Sequence, residues 1–160
     1  MILRKKVKTV NVNPFEGAND FALISVFKAL LGEQYNVNMG DVQVLIKPQS
    51  KTMYGVYKHR KNKPNQIILY RSGRVKTYTN EWLFSVFIHE FIHYYQFNHV
   101  KGYKRKRGVM HDKQFYDMLH EALENAKKEG LLQHGEYTKG YYQYLKTTVQ
   151  DSRTLIHSSY

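Results

Sequence analysis

The stretch SVFIHEFIHYYQF, residues 85–97, sets His89, Glu90 and His93 inside an otherwise apolar run. On a helix, positions four apart are turned by about 400°. The two imidazoles would then stand about 40° apart around the axis and one turn apart along it. That placement suits two ligands of one tetrahedral zinc ion. Glu90 would stand about 100° from His89 and about 60° from His93, within reach of an open coordination position without being a ligand. There it would hold a water, take its proton as general base and pass it to a leaving amine as general acid. The alternative is a polar network in a core helix. Burying three polar groups among Phe87, Ile88, Phe91 and Ile92 without partners costs several kcal/mol, and a metal removes that cost.

A catalytic zinc takes three protein ligands and keeps one position open. The chain has no cysteine, so thiolate ligands, disulfides and a cysteine nucleophile are excluded, and the third ligand must be a histidine or a carboxylate. His99 follows His93 by six residues, the metzincin spacing H-E-x-x-H-x-x-G-x-x-H. The glycine that would turn the chain out of the helix is Gln96 here, a good helix former. If the helix continues, His99 points about 240° away from His93. His111, eighteen residues after His93, stands at the head of a later helix, with Gly102 and Gly108 available to fold the chain back. His111 is therefore the preferred third ligand. Glu121 and Glu124 are lesser candidates, because both fall well inside that helix.

Residues 1–160 read as a single α+β domain, with a core at about 18–130 and a C-terminal extension at 131–160. NPFEGAND is a loop with Asn19 or Asp20 as a helix cap. From Phe21 a helix buries Leu23, Phe27, Leu30 and Leu31, with Ile24 beside them, and ends near Gly32. Three strands follow: DVQVLIK (41–47), TMYGVYK (52–58) and QIILYR (66–71). PQSK suits a turn between the first two, and HRKNKPN a hairpin loop before the third. Asn80 is the expected cap of the metal-bearing helix, with Glu81 favourably placed at its N-terminal dipole. Apolar on nearly every face, that helix is expected to be central and buried. The third helix begins near His111 and carries the stripe Phe115, Met118, Leu119, Ala122, Leu123 and Ala126, stopped by Gly130. TKGYYQYLKTTVQ (138–150) reads equally as strand or short helix, and the last ten residues as frayed.

Twenty-five Lys+Arg against 13 Asp+Glu leave a net charge of +12, which favours a polyanionic partner, nucleic acid first. KGYKRKRG (101–108) concentrates Lys101, Lys104, Arg105, Lys106 and Arg107 around Tyr103. Cations with an aromatic suit phosphate contact and base stacking, above all on single strands. A solvated surface loop is the plainer reading. RKKVK (4–8) and KHRKNK (58–63) would extend the same surface. A peptidase must also hold an extended chain. QIILYR is the expected edge strand for that, reading main chain with little side-chain specificity. Tyr54, Tyr57 and Tyr94 are candidate oxyanion donors. No apolar stretch is long enough to span a bilayer, and no signal-peptide core follows the basic N-terminus, so a cytoplasmic or nucleoid-associated protein without a membrane partner is expected.

HEFIHYYQF followed by MHDKQFYDML resembles the SprT-like (Spartan-like) zinc metallopeptidases. Their pattern is H-E-x-x-H, a variable loop, then H-G-x-x-F opening a helix. His89, Glu90, His93, His111 and Phe115 match it in order, and TMYGVYK…QIILYR resembles the hairpin ahead of the active helix. The likeness covers roughly residues 18 to 126. It departs in two places: the glycine after the third histidine is Asp112, and the family's cysteine zinc ribbon has no counterpart. The resemblance implies a zincin-like α+β fold, one zinc ion on His89, His93 and His111, Glu90 as the catalytic group, and protein substrates bound or crosslinked to DNA. Two other readings stay open: a metzincin-like peptidase using His99 without nucleic acid, and a non-catalytic basic DNA-binding module with a zinc site.

Overall fold

A computed structural model describes residues 14–132. The basic segment 4–8 and the segment 138–150 lie outside the described residues. Within them the protein is α+β, three helices with one small mixed sheet.

Helix α1 (Asp20–Tyr35) starts as its sequence signals: Asn19 Oδ1 accepts from the Ala22 N–H at 2.9 Å. It buries Leu23, Phe27 and Leu31. Gly32 does not end it. The helix runs one further turn to Asn36, which takes the left-handed conformation (φ 54°). The Val37 N–H then bonds back to the Gly32 carbonyl at 2.9 Å. Gly32 is where this returning chain passes closest, since a Cβ there would stand 3.0 Å from Val37 O.

The sheet contains β1 (Gln43–Gln49), β2 (Gly55–Lys58) and β3 (Gln66–Ser72) in the order β1-β3-β2. β2 and β3 form the expected antiparallel hairpin. β1 does not pair with β2. It runs parallel to β3, from Gln43 opposite Gln66 to Gln49 opposite Ser72, so Pro48 and Gln49 belong to the strand and not to a turn. This overturns the expectation that QIILYR is an edge strand. Ile67, Ile68 and Leu69 are buried in succession, a pattern that fits a strand covered on both faces and flanked on both sides. The strand with a free edge near the histidine-bearing helix is β2.

Helix α2 (Asn80–His99) runs through the middle of the fold, and every residue from Leu83 to Ile92 is buried. Its cap is Thr79, whose Oγ1 accepts from the Trp82 N–H at 3.0 Å. Asn80 lies just inside the helix and is used elsewhere. It donates to Phe15 O at 2.8 Å and accepts from Arg71 at 2.7 Å, tying the α1 entry and β3 to the start of α2. Phe15, Phe27, Phe84 and Phe87 interlock, with neighbouring ring centroids 5.0–5.5 Å apart; burial of these aromatics fixes the α1–α2 packing. Helix α3 (Lys113–Lys128) begins at Asp112, whose Oδ1 accepts from the Phe115 N–H at 2.8 Å. Its buried stripe is Phe115, Tyr116, Leu119, Ala122, Leu123 and Ala126, and Gly130 (φ 74°) follows its end. No described helix is long and apolar enough to cross a membrane.

β2 lies directly against α2 because position 55 has no side chain. A Cβ on Gly55 would stand 2.7 Å from Val86 Cγ1, 3.0 Å from Ile68 O and 3.4 Å from Glu90 Cγ. Gly55→Ala is expected to destabilise the fold by about 1–3 kcal/mol, the usual cost of overpacking, because β2 must lift from the helix. Urea denaturation of the variant beside wild type measures it.

Candidate metal centre

α2 is helical and uninterrupted across residues 89–93, so His89 and His93 present their rings from successive turns. His111 arrives from the segment just ahead of α3. One potential ligand atom from each of the three lies within 4.8 Å of the others, and the ring centroids are 4.9–5.1 Å apart. Phe115 forms a common floor. Its ring centroid is 4.8 Å from that of His89, 4.5 Å from that of His93, against which it stacks, and 4.6 Å from that of His111. The residue read in the sequence as part of an apolar stripe thus also fixes three imidazole planes.

The electrostatics favour ligands over bases. Burial pushes the His89 imidazolium well below its usual range, and the neighbouring His93 and His111 add to the effect. Burial, then His111 and Arg105, push His93 down to about 3. Burial also brings His111 down to about 4, opposed by Asp112 and aided by Arg105. All three rings are neutral at pH 7, with lone pairs available to a cation. His111 Nδ1 is buried with no hydrogen-bond partner, a cost that coordination would remove. Three converging neutral imidazole donors fit a divalent ion of the zinc class.

Glu90 is buried beside this cluster and is not a member of it. One carboxyl oxygen stands 4.0 Å from His89 Nε2, too far for a hydrogen bond. Burial raises its pKa to about 8, while the Tyr57 backbone N–H, donating to the carboxylate, pulls the other way. β2 therefore orients the acid, and Gly55 is what lets β2 come close enough.

Gln96, which stands where the metzincin spacing has glycine, and Asp112, which follows the third histidine, are in direct contact. Gln96 is fully buried, and its Nε2 donates to Asp112 Oδ1 at 2.9 Å and to Gln114 Oε1 at 3.0 Å. Asp112 caps α3 and accepts from Gln96 with the same oxygen. Gln96 thereby latches the last turn of α2 to the first turn of α3 and holds His111 over His93. Sequence reasoning saw Gln96 only as a missing glycine. A polar residue in a helix with no exposed face was the available signal.

The other candidate ligands lie elsewhere. His99 Nε2 pairs with the Tyr94 hydroxyl at 3.0 Å, and its ring packs on Tyr95. Glu121 is exposed, and Glu124 pairs with Lys127 at 3.6 Å. The same contacts remove two proposed oxyanion donors. The Tyr94 hydroxyl is taken by His99. The Tyr57 hydroxyl is taken by Asn65, Asn98 and His59 at 2.8–3.0 Å. Tyr54 stays on the wall of the cleft, packed against Tyr78 and Trp82.

The cluster opens into a cleft of about 750 Å³, whose lining includes residues 50–57 and 73–76 together with Tyr103, Arg105 and Met110. Of the basic loop, Tyr103 and Arg105 reach this cleft, while Lys101, Lys104, Lys106 and Arg107 are exposed and do not line it. Tyr103 packs edge-on against Phe97 (5.3 Å), and His59 stacks on Phe97 (5.1 Å). The two basic loops, 58–63 and 101–107, therefore meet at one aromatic group.

His111→Ala is expected to lower zinc affinity by more than about a hundredfold, since loss of a mere outer partner of a ligand already costs 10–100-fold; His99→Ala should leave it unchanged. Titration against a chromophoric chelator distinguishes the two. In chelator-treated protein, Glu90 binds its proton more tightly folded (about 8) than unfolded (4.5), so its contribution to stability falls as pH rises between those values. The depressed histidines act oppositely, and their contribution is lost as pH falls below 6.5. Glu90→Gln should remove the alkaline loss and keep the acid one, as read from denaturation midpoints between pH 4.5 and 9. The chain matches no protein-family model, no curated protein and no solved structure.

Proposed function

We propose that the protein is a zinc-dependent endopeptidase of the SprT-like, zincin type, acting inside the cell on proteins bound or crosslinked to DNA. One observation carries the reading: a buried carboxyl group that is not a ligand stands beside a three-imidazole cluster on the wall of an open cleft. A purely structural site has no use for that carboxyl, and burying it has raised its pKa toward neutrality, the range in which an acid–base group exchanges protons readily at physiological pH.

His89, His93 and His111 would hold the zinc ion, which when bound supplies Lewis acidity toward a peptide carbonyl and toward a water. Glu90 receives a proton from the attacking water and delivers it to the departing amine. The Tyr57 N–H holds the carboxylate in place between the two transfers. β2 is suited to hold the substrate. Tyr70 N donates to Tyr54 O at 3.1 Å, and with Gly55 opposite Leu69 and Tyr57 opposite Ile67, the alternation of an antiparallel ladder turns the main-chain groups of Gly55 and Tyr57 to the outer edge. Since the Tyr57 N–H reaches Glu90, that edge faces the metal centre. An extended chain pairing there by β-augmentation would pass in front of the ligands.

The nucleic-acid part of the reading is supported by the +12 charge and by the meeting of two basic loops on the Tyr103–Phe97–His59 group beside the cleft. Cations around aromatic faces are the composition of single-strand binding surfaces.

Glu90→Gln should keep zinc and lose hydrolysis of a denatured protein substrate by about 10²–10⁴-fold, the usual contribution of a general base. Single-stranded DNA should stimulate the wild-type rate. Zinc binding without cleavage by wild type, with or without DNA, would sink the peptidase reading and leave a DNA-associated zinc module.

A further inference from the structure

Four large apolar side chains remain exposed among the described residues: Phe21, Met53, Val75 and Met110. The last three line the cleft of the metal centre. They come from three separate segments. Met53 lies between β1 and β2, Val75 at the tip of the loop between β3 and α2, and Met110 just ahead of His111. Val75 is 96% exposed, a placement with no folding benefit.

The segments that carry Met53 and Val75 are held in place. Ser50 Oγ accepts from the N–H groups of Thr52 and Met53 at 3.2 and 3.0 Å. The Val75 loop is closed by the Gly73 N–H bonding to Lys76 O at 2.9 Å and by the Ser72–Thr77 bridge. It is tied to the end of β1 by the Ser50 N–H bonding to Ser72 O and by Gln49 Nε2 bonding to Gly73 O, both at 3.0 Å. Cations alternate with the apolar groups on this wall: Lys51 precedes Met53, and Arg74 and Lys76 flank Val75. Arg105 lines the same cleft. Glu90, in the catalytic position, is the sole acidic residue among the described lining residues.

An apolar rim studded with cations is complementary to one kind of chain. We propose that the cleft selects extended polypeptide segments carrying a bulky apolar side chain flanked by acidic residues. The inference rests on the peptidase reading for its substrate class. It departs from the low side-chain specificity expected of main-chain pairing alone: β2 holds the backbone, while Met53, Val75 and Met110 shield the apolar side chain and Lys51, Arg74 and Lys76 meet its acidic neighbours.

Zinc-loaded full-length Glu90→Gln protein serves as a binding trap that cannot complete the reaction. Its affinity for three fluorescein-labelled peptides is read by anisotropy: leucine among aspartates, serine among aspartates, and leucine among lysines. The first is expected to bind roughly tenfold more tightly than the second, the scale on which an apolar site discriminates, and several-fold more tightly than the third. Adding Met53→Ser, Val75→Ser and Met110→Ser together should abolish the leucine preference and keep the charge preference. All three sites are exposed, so an unchanged melting temperature verifies the fold. Leucine and serine peptides bound within twofold of one another, or a leucine preference that survives the triple substitution, would overturn the proposal. If wild type fails to cut a peptide that the trap holds selectively, the peptidase reading falls and the selectivity stands. If the trap binds none of the peptides, the selectivity falls whatever wild type cuts.

Discussion

The structure depends on keeping four polar side chains inside a helix–helix junction that is otherwise apolar. His89, Glu90 and Gln96 are buried on α2, and His93 is largely so. Each left unsatisfied would cost more than a good hydrophobic contact supplies. The fold answers by convergence. His111 completes the imidazole cluster, β2 sends a backbone N–H to Glu90, and the start of α3 supplies the acceptors for Gln96. Each answer comes from a different element, so the site itself fixes how β2, α2 and α3 meet.

This explains why two contacts that look incidental are strict. Gly55 is required because β2 must reach Glu90 through a gap with no room for a methyl group. Phe115 is required because an aromatic ring of that size touches all three imidazoles at once. Either contact, if lost, would leave ionisable groups buried in poor geometry. That is a more serious defect than a cavity, since their charged forms are disfavoured by burial from the outset.

Much of the site was legible because it is local. The four-residue spacing of His89 and His93 carries its own geometry once the run is helical, and the apolar stripe of α3 follows the same period. The choice of His111 over His99 also followed from helix arithmetic, because Gln96 continues α2 to its end. What stayed hidden was non-local. Parallel pairing of β1 with β3 joins strands that are not neighbours in the chain, and no periodicity reports it. The hydroxyls of Tyr57 and Tyr94 could be assigned a catalytic part only while their partners Asn98 and His99 were unseen. The cap of α2 fell on Thr79 because Asn80 is engaged by Phe15 and Arg71, neither of which is near it in sequence.

The latch between Gln96 and Asp112 spans sixteen residues of sequence in a single side-chain contact. Of the residues between them, the exposed run from Lys104 to Gly108 hangs outside the clamp as an appendage, while Tyr103 packs on Phe97 and His111 belongs to the cluster itself. The length of that run is thereby uncoupled from the arrangement of the three imidazoles, in the way a hairpin loop is uncoupled from the strands that close it. Evolution or an engineer can lengthen or shorten that appendage while the imidazole cluster beneath it keeps its shape.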